Sequence, residues 1–187
     1  KPVVAAPHQM ALGGGCEICL AADRIIADAE TYMGLVEVGV GLIPGAGGLK
    51  EGALRAAQAA QAAGMTDVFP FMRNWFLNAA MANVSKSAIE AKAMGYLRPT
   101  DQIVFNNHEL LWTAIGEAFA MHATGYRPPI KPRAFAVAGR TGVATIKAQL
   151  VNMRDGGFIS QHDFFIASGI ADVMCGGDVE VGALADE

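Results

Sequence analysis

The front of the chain alternates between short apolar runs and glycine-rich breaks. Residues 3–6 form an apolar run with Pro2 at its edge, a pattern typical of a buried strand. Glycines then interrupt the chain at 13–15, residues 16–22 have helical composition, and residues 24–27 predict the next strand. The sequence therefore begins with a predicted βαβ-like unit of strand, glycine turn, helix and strand.

A second glycine-rich stretch covers residues 34–48 and holds Glu37, Pro44 and the run Gly45-Ala46-Gly47-Gly48. Glycine allows the chain to approach another molecule closely and to adopt turns closed to other residues. Two irregular, glycine-rich loops so near each other indicate backbone that approaches a ligand.

Residues that favour helices dominate the rest of the chain. Residues 49–63 are rich in Ala, Gln and Leu and end at Gly64, as helices often do. Further helices are predicted for residues 68–83, 88–94, 106–124, 142–154 and 161–175. The clearest break begins at Gly125 and continues through prolines to Pro132. The pattern places the sheet at the front and only helices after residue 50.

Composition narrows the class of protein. Of the 187 residues, 52% are apolar and 17% charged, which indicates a globular domain with a sizeable core. The net charge of -4 argues against a nucleic-acid or anionic-membrane partner. The sequence has no apolar run long enough for a membrane span, and its first residues resemble a strand more than a signal peptide. Three cysteines, an odd number, favour a reducing, cytoplasmic location.

Cys16 and Cys19 form a C-x-x-C pattern, but neither a second pair nor a nearby histidine completes a zinc site. A helix start can lower a thiol pKa, although buried helix cysteines are the favoured interpretation. The four histidines show no metal-ligand spacing and are interpreted as surface or packing residues: His8, His108, His122 and His162. We therefore expect no metal site.

The glycine turn at residues 13–15 is a candidate binding site, because a helix that follows such a turn exposes unpaired N–H groups and the positive end of its dipole. Such a site binds phosphate or stabilises an oxyanion. A dinucleotide-binding G-x-G-x-x-G is excluded by Ile18, and neither loop continues into Gly-Lys-Ser/Thr. A tight turn without a ligand is the alternative.

Two glutamates accompany these loops. Glu17 lies in the first turn of the predicted helix, and Glu37 lies between Val36 and Val38, an unusual place for a solvated acid. The structural alternatives are a helix-dipole partner for Glu17 and a backbone-bonded loop acid for Glu37.

These motifs resemble the signature of the enoyl-CoA hydratase/isomerase (crotonase) family. The similarity covers about the first fifty residues: ALGGGCE at 11–17, ADRI at 22–25, GLVEV at 34–38 and LIPGAGG at 42–48. Residues 87–91 and 94–97 also resemble the family. Residues 126–177 are most similar to the C-terminal hydratase part of bacterial two-domain 3-hydroxyacyl-CoA dehydrogenases.

The resemblance implies an α/β, crotonase-like fold and a trans-2-enoyl-CoA hydratase of fatty-acid β-oxidation, with an acyl-CoA thioester as substrate. Gly14 would donate its N–H to the enolate oxygen, and Gly13 and Gly45 would complete the oxyanion and substrate-binding set. Glu17 would activate the water that attacks C3, and Glu37 would exchange the proton at C2. Family isomerases use only the acid that matches Glu37, so the presence of both favours a hydratase.

The resemblance also predicts how the chain is organised. The family has further strands ahead of Lys1, which carry the other oxyanion donor and much of the CoA pocket, so we expect an N-terminally truncated core. Residues 1–63 would form that core with both glutamates, and residues 64–187 a helical region for oligomerisation and active-site cover. We expect a homo-oligomer and no NAD site. An isomerase and a non-catalytic assembly fragment are the alternatives.

Overall fold

A computed structural model of the chain describes residues 1–128 and 134–186. The predicted break runs from Gly125 to Pro132, and its residues 129–132 lie outside the described residues. The strands are β1 Val4–Ala5, β2 Gln9–Leu12, β3 Arg24–Asp28, β4 Thr31–Gly34, β5 Gln102–Val104, β6 Phe135–Ala136 and β7 Leu184–Ala185. The α-helices are α1 Gly14–Ala21, α2 Gly48–Ala62, α3 Phe69–Ala80, α4 Ala88–Ala93, α5 Asn107–Ala123, α6 Gly139–Asp155 and α7 Gln161–Cys175. A 3-10 helix covers Glu37–Val40.

All the predicted helices are confirmed, with ends that shift by a few residues. The prediction that only helices follow residue 50 is wrong, because β5, β6 and β7 lie in that part of the chain. These strands are two or three residues long, too short for an alternating pattern to reveal. The sequence interpretation also missed β2 and β4.

The chain divides into two compact units by its internal contacts. Unit 1 comprises Lys1–Leu35 and Val84–Ile130, and unit 2 comprises Val36–Asn83 and Lys131–Glu187. Glu17 therefore belongs to unit 1 and Glu37 to unit 2. The predicted division into residues 1–63 and 64–187 stays a prediction.

Unit 1 is built on parallel strands. β3 lies between β1 and β5, with Val4 opposite Arg24 and Ile26 opposite Gln102. β2 pairs in parallel with β4 in a second sheet, with Gln9 opposite Thr31. Ile25 and Ile26 of β3 are fully buried, as expected for the central strand of a parallel sheet. The predicted βαβ-like unit is confirmed by β1, α1 and β3.

An arginine fixes the C-terminal end of α1. The Arg98 guanidinium donates hydrogen bonds to the carbonyls of Leu20 at 3.1 Å and Ala22 at 2.8 Å. The last carbonyls of a helix have no partner within the helix, so a cation there satisfies them and complements the dipole. This contact orients the helix whose first turn carries Glu17.

Unit 2 packs four helices, α2, α3, α6 and α7, around an apolar core. Its most deeply buried large side chains are Met72, Ile146, Ile170 and Met174. Gly52 allows α2 to approach α3 closely: a Cβ built on Gly52 would lie 2.8 Å from Cε3 of Trp75. Across residues 1–128 and 134–186, no helix combines the length and apolarity needed to cross a bilayer.

Replacing Gly52 with Val should therefore destabilise the chain by about 1–3 kcal/mol, since the side chain must displace the buried Trp75 ring. Gly116 of α5 is the matched control, because a Cβ there would meet no atom within 4 Å. We expect Gly116→Val to change the free energy of unfolding by no more than about 0.5 kcal/mol. Urea unfolding measures both variants, and equal losses would contradict this packing.

Candidate active site

The glycine turn of unit 1 is closed by two backbone hydrogen bonds. The N–H of Gly13 donates to the carbonyl of Gly34 at 2.8 Å, which ties the turn to the end of β4. The N–H of Glu17 donates to the carbonyl of Gly13 at 3.0 Å, the first bond of α1. Gly13 has φ of 54°, a backbone conformation that favours glycine. The turn is therefore held at both ends.

Gly14 and Gly15 form the open side of this turn. Both are exposed, and a Cβ built on either would meet no atom within 4 Å. The N–H groups of Gly14 and Gly15 lie at the start of α1, where the backbone carries the positive end of the helix dipole. The backbone here is accessible to a ligand oxygen, as an oxyanion site requires.

Glu17 lies in the same helical turn but is buried, with 5% of its surface exposed. Most glutamates remain in water, because removing a carboxylate from solvent is costly. Glu17 is therefore not the solvated helix-dipole partner of the structural alternative. The structure places Gly13, Gly14 and Glu17 in one turn, and their chemical roles stay predictions.

The cysteines of α1 are buried. Cys16 is fully buried, and burial raises the pKa of Cys19. Burial likewise raises the pKa of Cys175 on α7 to about 11. A thiolate is the reactive form, so these pKa shifts disfavour nucleophilic chemistry. The interpretation of Cys16 and Cys19 as buried helix residues is confirmed.

Glu37 opens the 3-10 helix of unit 2 and is half-buried, with its Oε2 atom excluded from solvent. Its carbonyl accepts a hydrogen bond from the N–H of Leu42 at 3.0 Å. Gly41 ends the helix with φ of 77°, and its N–H donates to the carbonyl of Val38 at 3.0 Å. The turn that carries Glu37 is therefore closed by its own backbone.

Gly45 is exposed in the loop before α2. A Cβ built there would lie 3.8 Å from the carbonyl oxygen of Ile43, an ordinary contact, so the fold leaves room for a side chain. Its predicted role in substrate binding stays a prediction. Glu37 and Gly45 share unit 2, and the pairing of Glu37 with Glu17 also stays a prediction.

The helix α7 of unit 2 starts with a reciprocal cap. Ser160 accepts a hydrogen bond from the N–H of Asp163 at 3.1 Å, and Asp163 accepts from the Ser160 hydroxyl at 2.7 Å and N–H at 2.9 Å. These hydrogen bonds, the one from the hydroxyl first, hold the pKa of Asp163 below its ordinary 3.8. The cap therefore favours the ionised carboxylate.

Because the folded-state pKa is lowered, the cap's contribution to stability is present above the unfolded pKa and is lost as the pH falls through the folded pKa. We expect Asp163→Asn to be less stable than wild type at about pH 6, with the gap closing toward about pH 2.5. Thermal unfolding across this range measures it. A gap of constant size would contradict the pKa assignment.

The sequence interpretation missed a histidine–aspartate pair in unit 1. His8 Nδ1 lies 2.8 Å from Oδ2 of the buried Asp28. The carbonyl of Pro7 accepts from the N–H of Asp28 at 3.1 Å and from the hydroxyl of Thr31 at 3.0 Å. These bonds anchor the loop that precedes β2, and a cleft of about 760 Å³ opens beside it. The partners are 20 residues apart, so no local pattern could reveal them.

Comparisons with known proteins show what the chain is similar to. Residues 1–68 match the family model for enoyl-CoA hydratase/isomerase. The chain is 47% identical, over its whole length, to a probable 3-hydroxyacyl-CoA dehydrogenase of Bacillus subtilis and covers 23% of that protein. It is 52% identical over 48 residues to a short-chain-enoyl-CoA hydratase of Clostridium acetobutylicum, which is 26% of this chain and 18% of that protein.

A solved structure shows the same fold. The enoyl-CoA hydratase of Mycobacterium tuberculosis gives a TM-score of 0.51 at 24% identity, over 91% of this chain and 54% of that one. The resemblance to the enoyl-CoA hydratase/isomerase family is thus confirmed, and the fold is crotonase-like α/β. The chain spans about a quarter of its Bacillus subtilis relative and about half of the Mycobacterium tuberculosis hydratase.

Proposed function

We propose that this chain carries the hydration chemistry of a trans-2-enoyl-CoA hydratase, the reversible addition of water to a 2-enoyl-CoA. The observation that carries the proposal is the first turn of α1, where exposed glycine N–H groups lie within three residues of the buried Glu17. The family match over residues 1–68 includes this turn and Glu37, and it supports the same chemistry.

In the proposed reaction the thioester carbonyl oxygen accepts a hydrogen bond from the N–H of Gly14. Ionised Glu17 takes a proton from water as the water oxygen forms a bond to C3, and the C2–C3 double-bond electrons move toward the carbonyl as an enolate. The Gly14 donor stabilises the oxygen charge, with a typical value of about 2.7–4 kcal/mol for one such donor. Protonated Glu37 then delivers its proton to C2, and the carbonyl re-forms.

The two acids must differ in protonation for this sequence to work. Glu17 starts as the carboxylate and Glu37 as the acid, and the reaction exchanges these states. When two carboxyl groups act on the same water, the charge of one disfavours ionisation of the other, so such a pair has unequal proton affinities. Proton exchange with solvent would restore both groups.

We also propose that the substrate is an intermediate of fatty-acid β-oxidation and that the chain is part of a larger 3-hydroxyacyl-CoA dehydrogenase with hydratase activity. The alignment of the whole chain with 23% of the probable 3-hydroxyacyl-CoA dehydrogenase of Bacillus subtilis supports the second part of this proposal. The homo-oligomer, the absence of a nicotinamide cofactor and the cytoplasmic location stay predictions.

Product analysis with paired substrates tests the reaction type. We expect a 2-enoyl-CoA to give the 3-hydroxyacyl-CoA, and a 3-enoyl-CoA to be converted more slowly or not at all. Faster conversion of the 3-enoyl substrate into its 2-enoyl isomer would identify an isomerase instead. A folded chain that converts neither would indicate a non-catalytic assembly role.

A further inference from the structure

The segment after Glu37 is held on helix α7 at two points, both within unit 2. The imidazole Nε2 of His162 lies 3.1 Å from the carbonyl oxygen of Gly41. Two residues further on, Ile43 packs against the middle of the helix, where a Cβ built on Gly169 would lie 3.8 Å from its Cδ1 atom. The loop therefore contacts α7 at Gly41 and Ile43, although the Leu42 side chain between them is exposed.

The direction of the His162 hydrogen bond is fixed by chemistry. A carbonyl oxygen can only accept, so Nε2 must carry the proton and donate it. The neutral tautomer with the proton on Nε2 and the imidazolium both satisfy this requirement. The contact is therefore available whether or not the ring is charged.

The carbonyl that His162 holds is connected to Glu37 through one peptide group. Gly41 C=O and Leu42 N–H belong to the same planar unit, and that N–H donates to the carbonyl of Glu37 at 3.0 Å. The imidazole thus donates to the carbonyl oxygen of this peptide, and the peptide's N–H donates to the backbone carbonyl of Glu37. Since hydrogen bonds in such a chain polarise one another, the two contacts reinforce each other.

Both ends of this connection are restricted. The Ser160–Asp163 cap fixes the first turn of α7, where His162 lies. Gly41 has φ of 77°, and a Cβ there would lie 3.3 Å from the His162 Nε2 atom. A larger residue would need both a strained backbone and a shift of the ring. The glycine therefore permits the close approach of the imidazole.

We propose that His162 is a positioning residue for Glu37, which it holds through the Gly41–Leu42 peptide without touching the substrate. The inference rests on the proposed function, since it assigns Glu37 the proton transfer at C2. Proton transfer depends steeply on distance and alignment, so a looser turn should slow the chemical step more than it weakens substrate binding.

Two substitutions separate the contribution of the His162 N–H donor from that of the aromatic ring. His162→Phe keeps a ring but removes the N–H, and His162→Gln places an amide N–H near the position of Nε2. With crotonyl-CoA and the full chain, we expect His162→Phe to lower kcat roughly three- to tenfold with KM changed less than about twofold, as the loss of one hydrogen bond implies. His162→Gln should recover most of the rate. Gln161→Ala, an exposed neighbour in the same turn, is the control.

Amide hydrogen exchange of Leu42 gives a readout besides activity, and we expect it to be faster in His162→Phe than in wild type or His162→Gln. Wild-type kcat in His162→Phe, or equal losses in the Phe and Gln variants, would overturn the inference while leaving the hydratase intact. An inactive wild-type chain would contradict the proposed function itself, and the role of His162 with it.

Discussion

Replacing Glu17 with Gln should lower kcat for hydration of crotonyl-CoA by roughly 10²–10⁴-fold, the usual contribution of a general base. The amide has the shape of the carboxyl group and can still hydrogen-bond to water, but it cannot take the proton that the attacking water must lose. The first turn of α1 should keep its structure, because the N–H of Glu17 bonds to Gly13 through the backbone. The free energy of unfolding should therefore change much less than the rate.

Glu109→Gln is the matched control for this variant. Glu109 occupies the first turn of α5, as Glu17 does in α1, but it is exposed. Steady-state kinetics on both variants, with unfolding curves beside them, separates a chemical role from a helix-dipole effect. A rate loss in Glu17→Gln no greater than in Glu109→Gln would show that Glu17 is only a dipole partner.

Replacing Glu37 with Gln should reduce kcat by a similar factor, roughly 10²–10⁴-fold, because the proton at C2 then has no acid to come from. The matched control is Glu180→Gln, an exposed acid of unit 2. The double variant Glu17→Gln/Glu37→Gln tests the pairing directly. Residues that act as a unit on one water give strongly non-additive losses, so the double variant should be about as slow as the slower single variant.

If the two losses multiplied, the glutamates would act independently, and a shared water would be contradicted. Glu17 and Glu37 belong to different units of the chain. The ratio of the double-variant rate loss to the product of the single-variant losses measures whether the two acids cooperate in the reaction. A wild-type kcat in either single variant would also contradict the two-glutamate mechanism.

The parts of the fold that local chemistry determines could be predicted from the sequence. The helix predicted at residues 161–175 has the bounds of α7, and the structure shows local reasons for them: Ser160 caps the N-terminus, and Gly176 adopts the left-handed conformation that ends helices. The turn from Gly13 to Glu17 is equally predictable from the sequence, since one helical turn brings these residues together. For the same reason, local spacing is enough to predict that the glycine turn and Glu17 lie together, while their chemical roles stay predictions.

Contacts between distant residues could not be predicted. β5 has three residues, and its identity as a strand comes from its pairing with β3, far earlier in the chain. The carbonyl of Gly41 and the ring of His162 are 121 residues apart, and neither shows a pattern that indicates the other. Tertiary packing decides such contacts, while local propensity and spacing inform only on neighbours.

Hydration of crotonyl-CoA in ¹⁸O-labelled water tests the central claim most directly. We expect loss of the conjugated-thioester absorbance and formation of 3-hydroxybutyryl-CoA with one ¹⁸O atom at C3, both slowed roughly 10²–10⁴-fold by Glu17→Gln. Loss of absorbance without ¹⁸O at C3, or no reaction by a correctly folded chain, would contradict a hydratase.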